Sequence, residues 1–231
     1  MESFYPDNRS RLSEADIRFV ARTLGSSPKE KDAIVSLLLD TGARDQILDQ
    51  EELYHTLINS PQCLQVSLNF YLYILVRNIL RQTGLDDTGL ADYVSGVLAH
   101  FARRRRRVNQ ESSRESFFYA VDMLEEIARS SSIRRFYLFI RLGEQSLVLT
   151  GLFPDYVKYR QNRRAAPGLR YYEAIGSAQY QAASQHPLAR KYQIDRLFAG
   201  LSESFHTIRN ALNQMQERLF FWEQQPLPPA D

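Results

Sequence analysis

The stretch from Ser60 to Gly84 carries apolar residues on every side of one predicted helix. When this segment is wound at about 100° per residue, Leu68 and Leu72 fall on one side, and Phe70 and Tyr73 fall on the other. A helix that is apolar all round is either buried in a protein or spans a membrane. Polar side chains interrupt this segment too often for a bilayer, so we expect a buried central helix and no membrane span.

Local signals mark both ends of the central helix. Ser60 can accept a hydrogen bond from the first turn, and Pro61 suits the first helical position. Gly84 supplies a left-handed stop after the last turn. We therefore predict a helix over Pro61–Gln82.

Apolar residues recur at helical spacing through most of the remaining chain. This pattern predicts a compact all-α bundle of about nine or ten helices around the buried central helix. We expect a flexible tail over residues 1–12, a single helical domain over residues 13–222, and a disordered Pro-rich tail over residues 223–231.

Residues 136–150 allow two interpretations. Alternation of apolar residues around Gly143 is compatible with a β-hairpin, whereas the helical surroundings favour a helix that is broken near Gly143 or Gly151. We favour the broken helix.

The single cysteine, Cys63, excludes a disulfide framework within the chain and fits a reducing compartment. A lone cysteine in an apolar helix is usually a small buried residue. The first residues contain no apolar stretch of signal-peptide length. We therefore expect a cytoplasmic protein.

Charge is distributed unevenly along the chain, although the formal net charge is only +2. Residues 1–100 carry 9 basic and 14 acidic side chains, whereas residues 101–170 carry 15 basic and 7 acidic ones. The basic excess begins with the run Arg103, Arg104, Arg105, Arg106 and Arg107 at the end of a predicted helix.

The arginine run has two interpretations. Cations at a helix C-terminus are stabilised by the helix dipole, so the run fits a solvated helix end, which we favour. Alternatively, it belongs to a surface that tracks the phosphates of a polyanion or nucleic acid, in which nearby tyrosines act as stacking platforms. The other members of such a surface would be Arg134, Arg135, Lys158, Arg160, Arg163 and Arg164.

Three polar residues, Asn69, Tyr73 and Arg77, form an i, i+4, i+8 row on the predicted central helix. A buried arginine requires a carboxylate or carbonyl partner, because an unpaired buried charge is very costly. We favour a structural ion pair. The partners we consider are Glu125, Glu126 and Glu173. The alternative is a pocket that binds a small anionic ligand or performs catalysis.

Two E-x-x-H spacings, Glu52 with His55 and Glu203 with His206, match the ligand pairs of di-iron four-helix bundles. Further carboxylates would come from Glu125, Glu126 or Glu173. In both predicted helices, however, the E-x-x-H residues fall away from the apolar side. Because side chains that face solvent cannot build a closed metal site, we expect no metal and no cofactor.

Three short segments carry a resemblance to known sequences: YLYILVR (residues 71–77), LVLTGLFPDYV (residues 147–157) and YYEAIGSAQY (residues 171–180). Their GLFP-like break followed by a YY-x3-G-x3-Y helix resembles a family of uncharacterised bacterial helical proteins. The resemblance covers about a third of the chain. It implies a bacterial all-α protein of unknown function, and it brings no activity or site residues.

Catalytic signals are weak, since the sequence contains no Gly-rich phosphate loop, nucleophile elbow or zinc-type Cys/His cluster. We place first a non-catalytic helical interaction or scaffold protein that binds a protein partner or forms a homodimer. A polyanion or nucleic-acid binder that uses the basic region 103–164 is the second hypothesis. An enzyme or small-ligand binder with a pocket near Arg77 is the third.

Overall fold

A computed structural model of the protein describes residues 7–59, 65–107, 120–164 and 166–223. These residues contain thirteen helices and no strand, which confirms the predicted all-α class. There are more helices than the predicted nine or ten because short turns divide several of the apolar segments. Within the same ranges, none of the helices is both long and apolar enough to cross a membrane.

The chain forms two compact units, residues 1–105 and residues 106–231, which are described separately. The prediction of one domain over residues 13–222 stays a prediction. The first unit contains six helices, the last of which extends two residues beyond the boundary: α1 (Glu14–Leu24), α2 (Pro28–Leu37), α3 (Thr41–Leu48), α4 (Glu51–Asn59), α5 (Leu68–Gln82) and α6 (Thr88–Arg107).

The second unit contains seven helices: α7 (Ala120–Arg129), α8 (Ser132–Leu152), α9 (Pro154–Arg164), α10 (Leu169–Gln185), α11 (Pro187–Lys191), α12 (Asp195–Glu203) and α13 (Phe205–Glu223). Helix α10 packs most extensively against α8 and α12. The predicted Pro-rich tail beyond Glu223 lies outside the described residues.

The central helix of the first unit is α5, in which eight of fifteen residues are buried. It begins at Leu68 rather than at the predicted Pro61, which lies outside the described residues. The reason is Ser67, whose Oγ accepts a hydrogen bond from the backbone N–H of Phe70 and caps the helix. The buried carboxylate of Asp16 accepts hydrogen bonds from the backbone N–H (2.7 Å) and the Oγ (2.8 Å) of Ser67. These contacts hold Ser67 in the extended N-cap conformation, so the helix begins at the next residue.

Helix α8 is continuous through Gly143 and ends at Leu152. The β-hairpin alternative is therefore wrong, and so is the break at Gly143. The break lies just beyond Gly151, where Phe153 leaves the helix and Pro154 begins α9. Proline disfavours a helical conformation at the preceding residue, which explains why the helix stops at this point.

Glycines allow α8 and α10 to approach closely in the second unit. A Cβ atom at Gly143 would lie 2.9 Å from the ring of Tyr180, and one at Gly176 would lie 2.8 Å from Cβ of Ser146. The space that the missing side chains leave is filled by the buried rings of Tyr180 and Phe205, whose centroids are 6.1 Å apart. The two glycines therefore permit the close packing of α8 and α10.

Candidate functional site

Arg77 is the centre of an ion cluster within the first unit. Its Nε and Nη2 donate to Oδ1 and Oδ2 of Asp49, both at 2.7 Å, and Nη2 also donates to Asp86. Asp49 is the C-cap residue of α3. Burial lowers the pKa of Arg77, but the hydrogen bonds and charges of the two carboxylates raise it more. The two carboxylates therefore compensate the charge of a residue that is only 3% exposed, although the buried Nη1 of Arg77 has no hydrogen-bond partner among the described residues.

The carboxylates that contact Arg77 differ from the predicted partners Glu125, Glu126 and Glu173. Those three residues belong to the second unit and make ion pairs there. Glu125 pairs with Arg129, Glu126 with Arg134, and Glu173 with Arg209. Glu173 also contacts the imidazole of His206. Asp49 and Asp86 were missed because carboxylates at helix ends look like ordinary caps in a sequence.

The row Asn69, Tyr73 and Arg77 does not share one environment. Tyr73 is fully buried, and burial, more than the nearby charges, raises the pKa of its hydroxyl. Asn69 is half-buried, and its Oδ1 accepts a hydrogen bond from Arg103. Tyr73 and Arg77 are thus shielded from water, and Asn69 is held by an arginine. The row therefore packs as part of the first unit. The predicted ligand pocket stays a prediction.

The first unit also contains a polar attachment that the sequence did not indicate. Asn8 is buried, and its Nδ2 donates to the backbone oxygen of Asp92 (3.3 Å) and to Oγ of Ser95 (3.1 Å). Arg9 Nη1 lies 2.5 Å from Oδ2 of Asp45. The predicted flexible tail over residues 1–12 therefore includes residues that are bound to α3 and α6. This contact could not be predicted from the sequence, because Asn8 lies in a polar, turn-like segment and its partners are distant in the chain.

Two members of the predicted polyanion surface hold the turn between α7 and α8. Arg135 donates from Nε to the backbone oxygen of Ile127 (3.1 Å) and from Nη2 to that of Ser130 (3.0 Å), so it caps the end of α7. Arg134 donates from Nε to Oε1 of Glu126 at 2.9 Å. Both guanidinium groups are used within the fold, so these two residues contribute little to an open cationic surface.

An open cleft of about 590 Å³ lies beside this turn. Its lining combines carboxylates and guanidinium groups, several of which pair with each other across it. The lining residues are Asp122, Glu125, Glu126, Arg129, Ser130, Ser131 and Arg134. Mutual neutralisation leaves the cleft without a strong preference for a ligand of either charge.

The arginine run continues α6 to its end at Arg107. Arg103 is exposed apart from its contact with Asn69. The side chains of Arg104, Arg105, Arg106 and Arg107 lie outside the described residues. Both interpretations of the run therefore stay predictions.

Helix α9 presents the clearest candidate surface. The guanidinium carbon of Arg160 lies 5.9 Å from the ring centroid of Tyr156, and that of Arg163 lies 5.9 Å from the ring centroid of Tyr159. Tyr156 and Tyr159 are 37% and 58% exposed. At about 100° per residue these four residues share one side of α9, which we call the Tyr–Arg face. This is cation–π geometry on a surface that is open to solvent.

The other described side chains of α9 lie on different sides of the helix from the Tyr–Arg face. Val157 is buried and attaches the helix to the second unit. Lys158 points away from the four residues, and its Nζ lies 3.3 Å from Oδ1 of Asp155. The side chain of Arg164 lies outside the described residues. The structure therefore divides a basic segment that looks uniform in the sequence.

The first turn of α10 adjoins the Tyr–Arg face. Tyr172 is buried, which raises the pKa of its hydroxyl, whereas the nearby charge of Arg160 lowers it. The ring of Tyr171 is 38% exposed and makes an edge-to-face contact with Tyr172, with centroids 5.3 Å apart. Arg160 therefore lies close to tyrosines of both α9 and α10, and the Tyr–Arg face lies beside the first turn of α10.

The two E-x-x-H pairs lie in different units. Glu52 and His55 are exposed on α4. His206 Nδ1 lies 2.5 Å from Oε1 of Glu173, and Asn210 Nδ2 donates to His206 Nε2 (2.8 Å). The imidazole is thus occupied on both nitrogens by side chains of the second unit. Among the described ranges, no group of three or more His, Cys, Asp and Glu side chains could hold a metal ion.

Cys63 lies outside the described residues, so its predicted burial stays a prediction. Comparison with known proteins adds no assignment to these sites. The sequence matches no family model, no curated protein and no solved structure.

Proposed function

We propose that this protein is a non-catalytic helical protein that binds polyanions through the Tyr–Arg face of α9. The observation that carries the proposal is the placement of Arg160 and Arg163, each over an exposed tyrosine ring, on one side of the same helix. Guanidinium groups bind phosphate and sulfate oxygens with two parallel hydrogen bonds, which suits them to anionic chains.

The charge of α9 supports this assignment. The segment Pro154–Arg164 contains four basic side chains and a single acidic one, Asp155. Asp155 pairs with Lys158, which lies on the other side of the helix from the Tyr–Arg face. A helix that served only as a solvated connection would gain little from cations gathered on one side, because like charges repel.

The candidate catalytic side chains Tyr73, Arg77 and His206 are engaged within the fold, which favours binding over catalysis. Tyr73 and Arg77 are enclosed, and the imidazole of His206 is held by Glu173 and Asn210. A catalytic group must reach its substrate, directly or through one water molecule. The Tyr–Arg face, by contrast, is exposed but carries no general base.

Titration of a fluorescently labelled DNA at several salt concentrations tests the proposal. Arg160→Gln with Arg163→Gln should weaken binding and lower the slope of log K against log salt by roughly 0.7–0.9 for each lost phosphate contact. Lys158→Gln is the matched control, because it removes one positive charge from the other side of the same helix. We expect it to change both quantities much less.

Two results would contradict the proposal: no binding of DNA or heparin by the unaltered protein at low salt, or equal losses in the Lys158 and double-arginine variants. A separate variant with Arg103–Arg107 replaced by Gln measures the share of the arginine run. If that variant alone loses binding, the site lies at the end of α6 rather than on α9.

A second candidate, self-association of an interaction protein, is supported by α2 and the turn after it. No residue of α2 is buried, and the leucines at its end, Leu37 and Leu39, are 49% and 82% exposed. Lys29 and Lys31 alternate with acidic residues along the helix, so two antiparallel copies of α2 could pair opposite charges. Sedimentation equilibrium of the full chain, with Leu37→Lys as the comparison, tests for such a dimer.

A further inference from the structure

We infer that the polyanion is a single-stranded nucleic acid whose unpaired bases stack on Tyr156 and Tyr159. This inference rests on the proposed function and adds the class of ligand. It is carried by two solvent-exposed tyrosines, Tyr156 and Tyr159, that each lie beside a guanidinium group on the same side of α9.

The arrangement of the Tyr–Arg face follows from helical geometry. At about 100° per residue, the side chains of Tyr159, Arg163, Tyr156 and Arg160 follow one another within an arc of about 100°. Cations and rings therefore alternate around the exposed side of α9. Neighbours three and four residues apart on a helix have Cβ atoms roughly 5–6 Å apart, so each ring has a cation within reach.

The rings distinguish a nucleic acid from a simpler polyanion. A polyphosphate has no aromatic groups, so cations alone would bind it and the tyrosine rings would add no contact. Nucleobases have flat faces that stack on tyrosine rings and on guanidinium planes, and this stacking is tolerant of sequence. Tyr171, in the first turn of α10, is a third tyrosine of this region that is open to solvent.

Exposure of the rings favours single strands over duplexes. In a duplex the base faces are stacked inside and only edges and phosphates are accessible, so rings on a convex helix surface find nothing to stack on. Unpaired bases can turn outwards and lie on the rings while their phosphates meet Arg160 and Arg163. The four side chains supply both kinds of contact.

The experiment uses the full-length protein and three fluorescein-labelled probes of about 15 nucleotides: oligothymidine, an abasic strand with the same number of phosphates, and a duplex. Anisotropy titrations at about 50 mM salt give the affinities. We expect oligothymidine to bind at least about tenfold more tightly than the abasic strand, since each stacked base contributes measurably.

Variants assign the difference to the rings. Tyr156→Leu with Tyr159→Leu should weaken oligothymidine binding by about tenfold or more and leave the abasic strand unchanged. Tyr156→Phe with Tyr159→Phe should keep most of the affinity, because the ring faces remain. Circular dichroism checks that each variant is folded, and the wild-type comparison of the probes does not depend on any variant.

The outcomes separate this inference from the proposed function. Equal binding of oligothymidine and the abasic strand, or tighter binding of the duplex, overturns base stacking while leaving polyanion binding in place. Failure of all three probes to bind overturns both. A Leu variant that loses affinity for every probe equally also contradicts stacking, because the rings would then act only by positioning the arginines.

Discussion

The backbone N–H of Arg9 donates a 3.1 Å hydrogen bond to Oδ1 of Asp92, a carboxyl group on α6 that is only 4% exposed. Burial raises the pKa of Asp92 to about 7, more than the hydrogen bond and the positive charge of Arg9 lower it. The residues before α1 are thus attached to a carboxyl group that changes charge near neutral pH.

The buried carboxyl predicts a pH-dependent stability. Because the pKa of Asp92 is higher in the folded protein than in the unfolded chain, the folded state binds more protons between about pH 4 and pH 7. Ionisation of Asp92 therefore costs stability as the pH rises. The unfolding free energy of Asp92→Asn minus that of wild type should therefore increase by about 2–3 kcal/mol when the pH is raised from 5 to 8.

Urea unfolding of wild type and Asp92→Asn at pH 5 and at pH 8 gives the difference in unfolding free energy between the two proteins at each pH. Asp32→Asn, on the exposed surface of α2, controls for the loss of one negative charge. A difference between wild type and Asp92→Asn that does not change with pH would contradict the prediction.

Removal of the Arg77 guanidinium should destabilise the first unit strongly. Arg77→Met leaves Asp49 and Asp86 without their cation, and breaking a buried pair in this way costs about 3–5 kcal/mol. Because the two carboxylates are partly exposed to water, we expect about 2–4 kcal/mol, measured by urea unfolding. Arg18→Gln, which removes an exposed i, i+4 pair with Glu14, should cost less than about 0.5 kcal/mol. Similar losses of unfolding free energy in the two variants would show that the Arg77 cluster stabilises the fold no more than an exposed ion pair does.

The surroundings of Gly176 and Gly42 predict different effects for their substitution by alanine. A Cβ atom at Gly176 would lie 2.4 Å from Cζ of Phe205, so Gly176→Ala should cost about 1–3 kcal/mol in unfolding free energy. At Gly42, within α3, the nearest atom is Oδ1 of Asp40 at 3.5 Å. Gly42→Ala should therefore be neutral or stabilise by up to about 1 kcal/mol. Calorimetry of both variants measures the effects, and a stable Gly176→Ala protein would contradict the close packing.

Local signals determined much of this fold. Ser13 and Ser27 cap α1 and α2 through capping boxes, as their positions before acidic residues indicate, and Asp87 caps α6 through the N–H of Leu90. These features are readable because a cap involves residues only three positions apart. The all-α class followed from the same short-range periodicity.

The start of the central helix needed a distant partner. Ser60 and Pro61 carry the better sequence signal, but Ser67 is the cap, because Asp16, fifty-one positions earlier, binds its N–H and Oγ. A local pattern contains no information about which carboxylate reaches a given serine. The same holds for Arg77, whose burial was predictable and whose partners Asp49 and Asp86 were not.

The candidate surface divides in the same way. The sequence alone identified a basic segment with interleaved tyrosines, since composition and spacing along one helix are local properties. Only the tertiary structure decided that Arg134 and Arg135 hold a turn, and that the tyrosines beside Arg160 and Arg163 stay exposed. Which side of a charged helix faces solvent depends on what packs against its other side, and long-range contacts determine that packing.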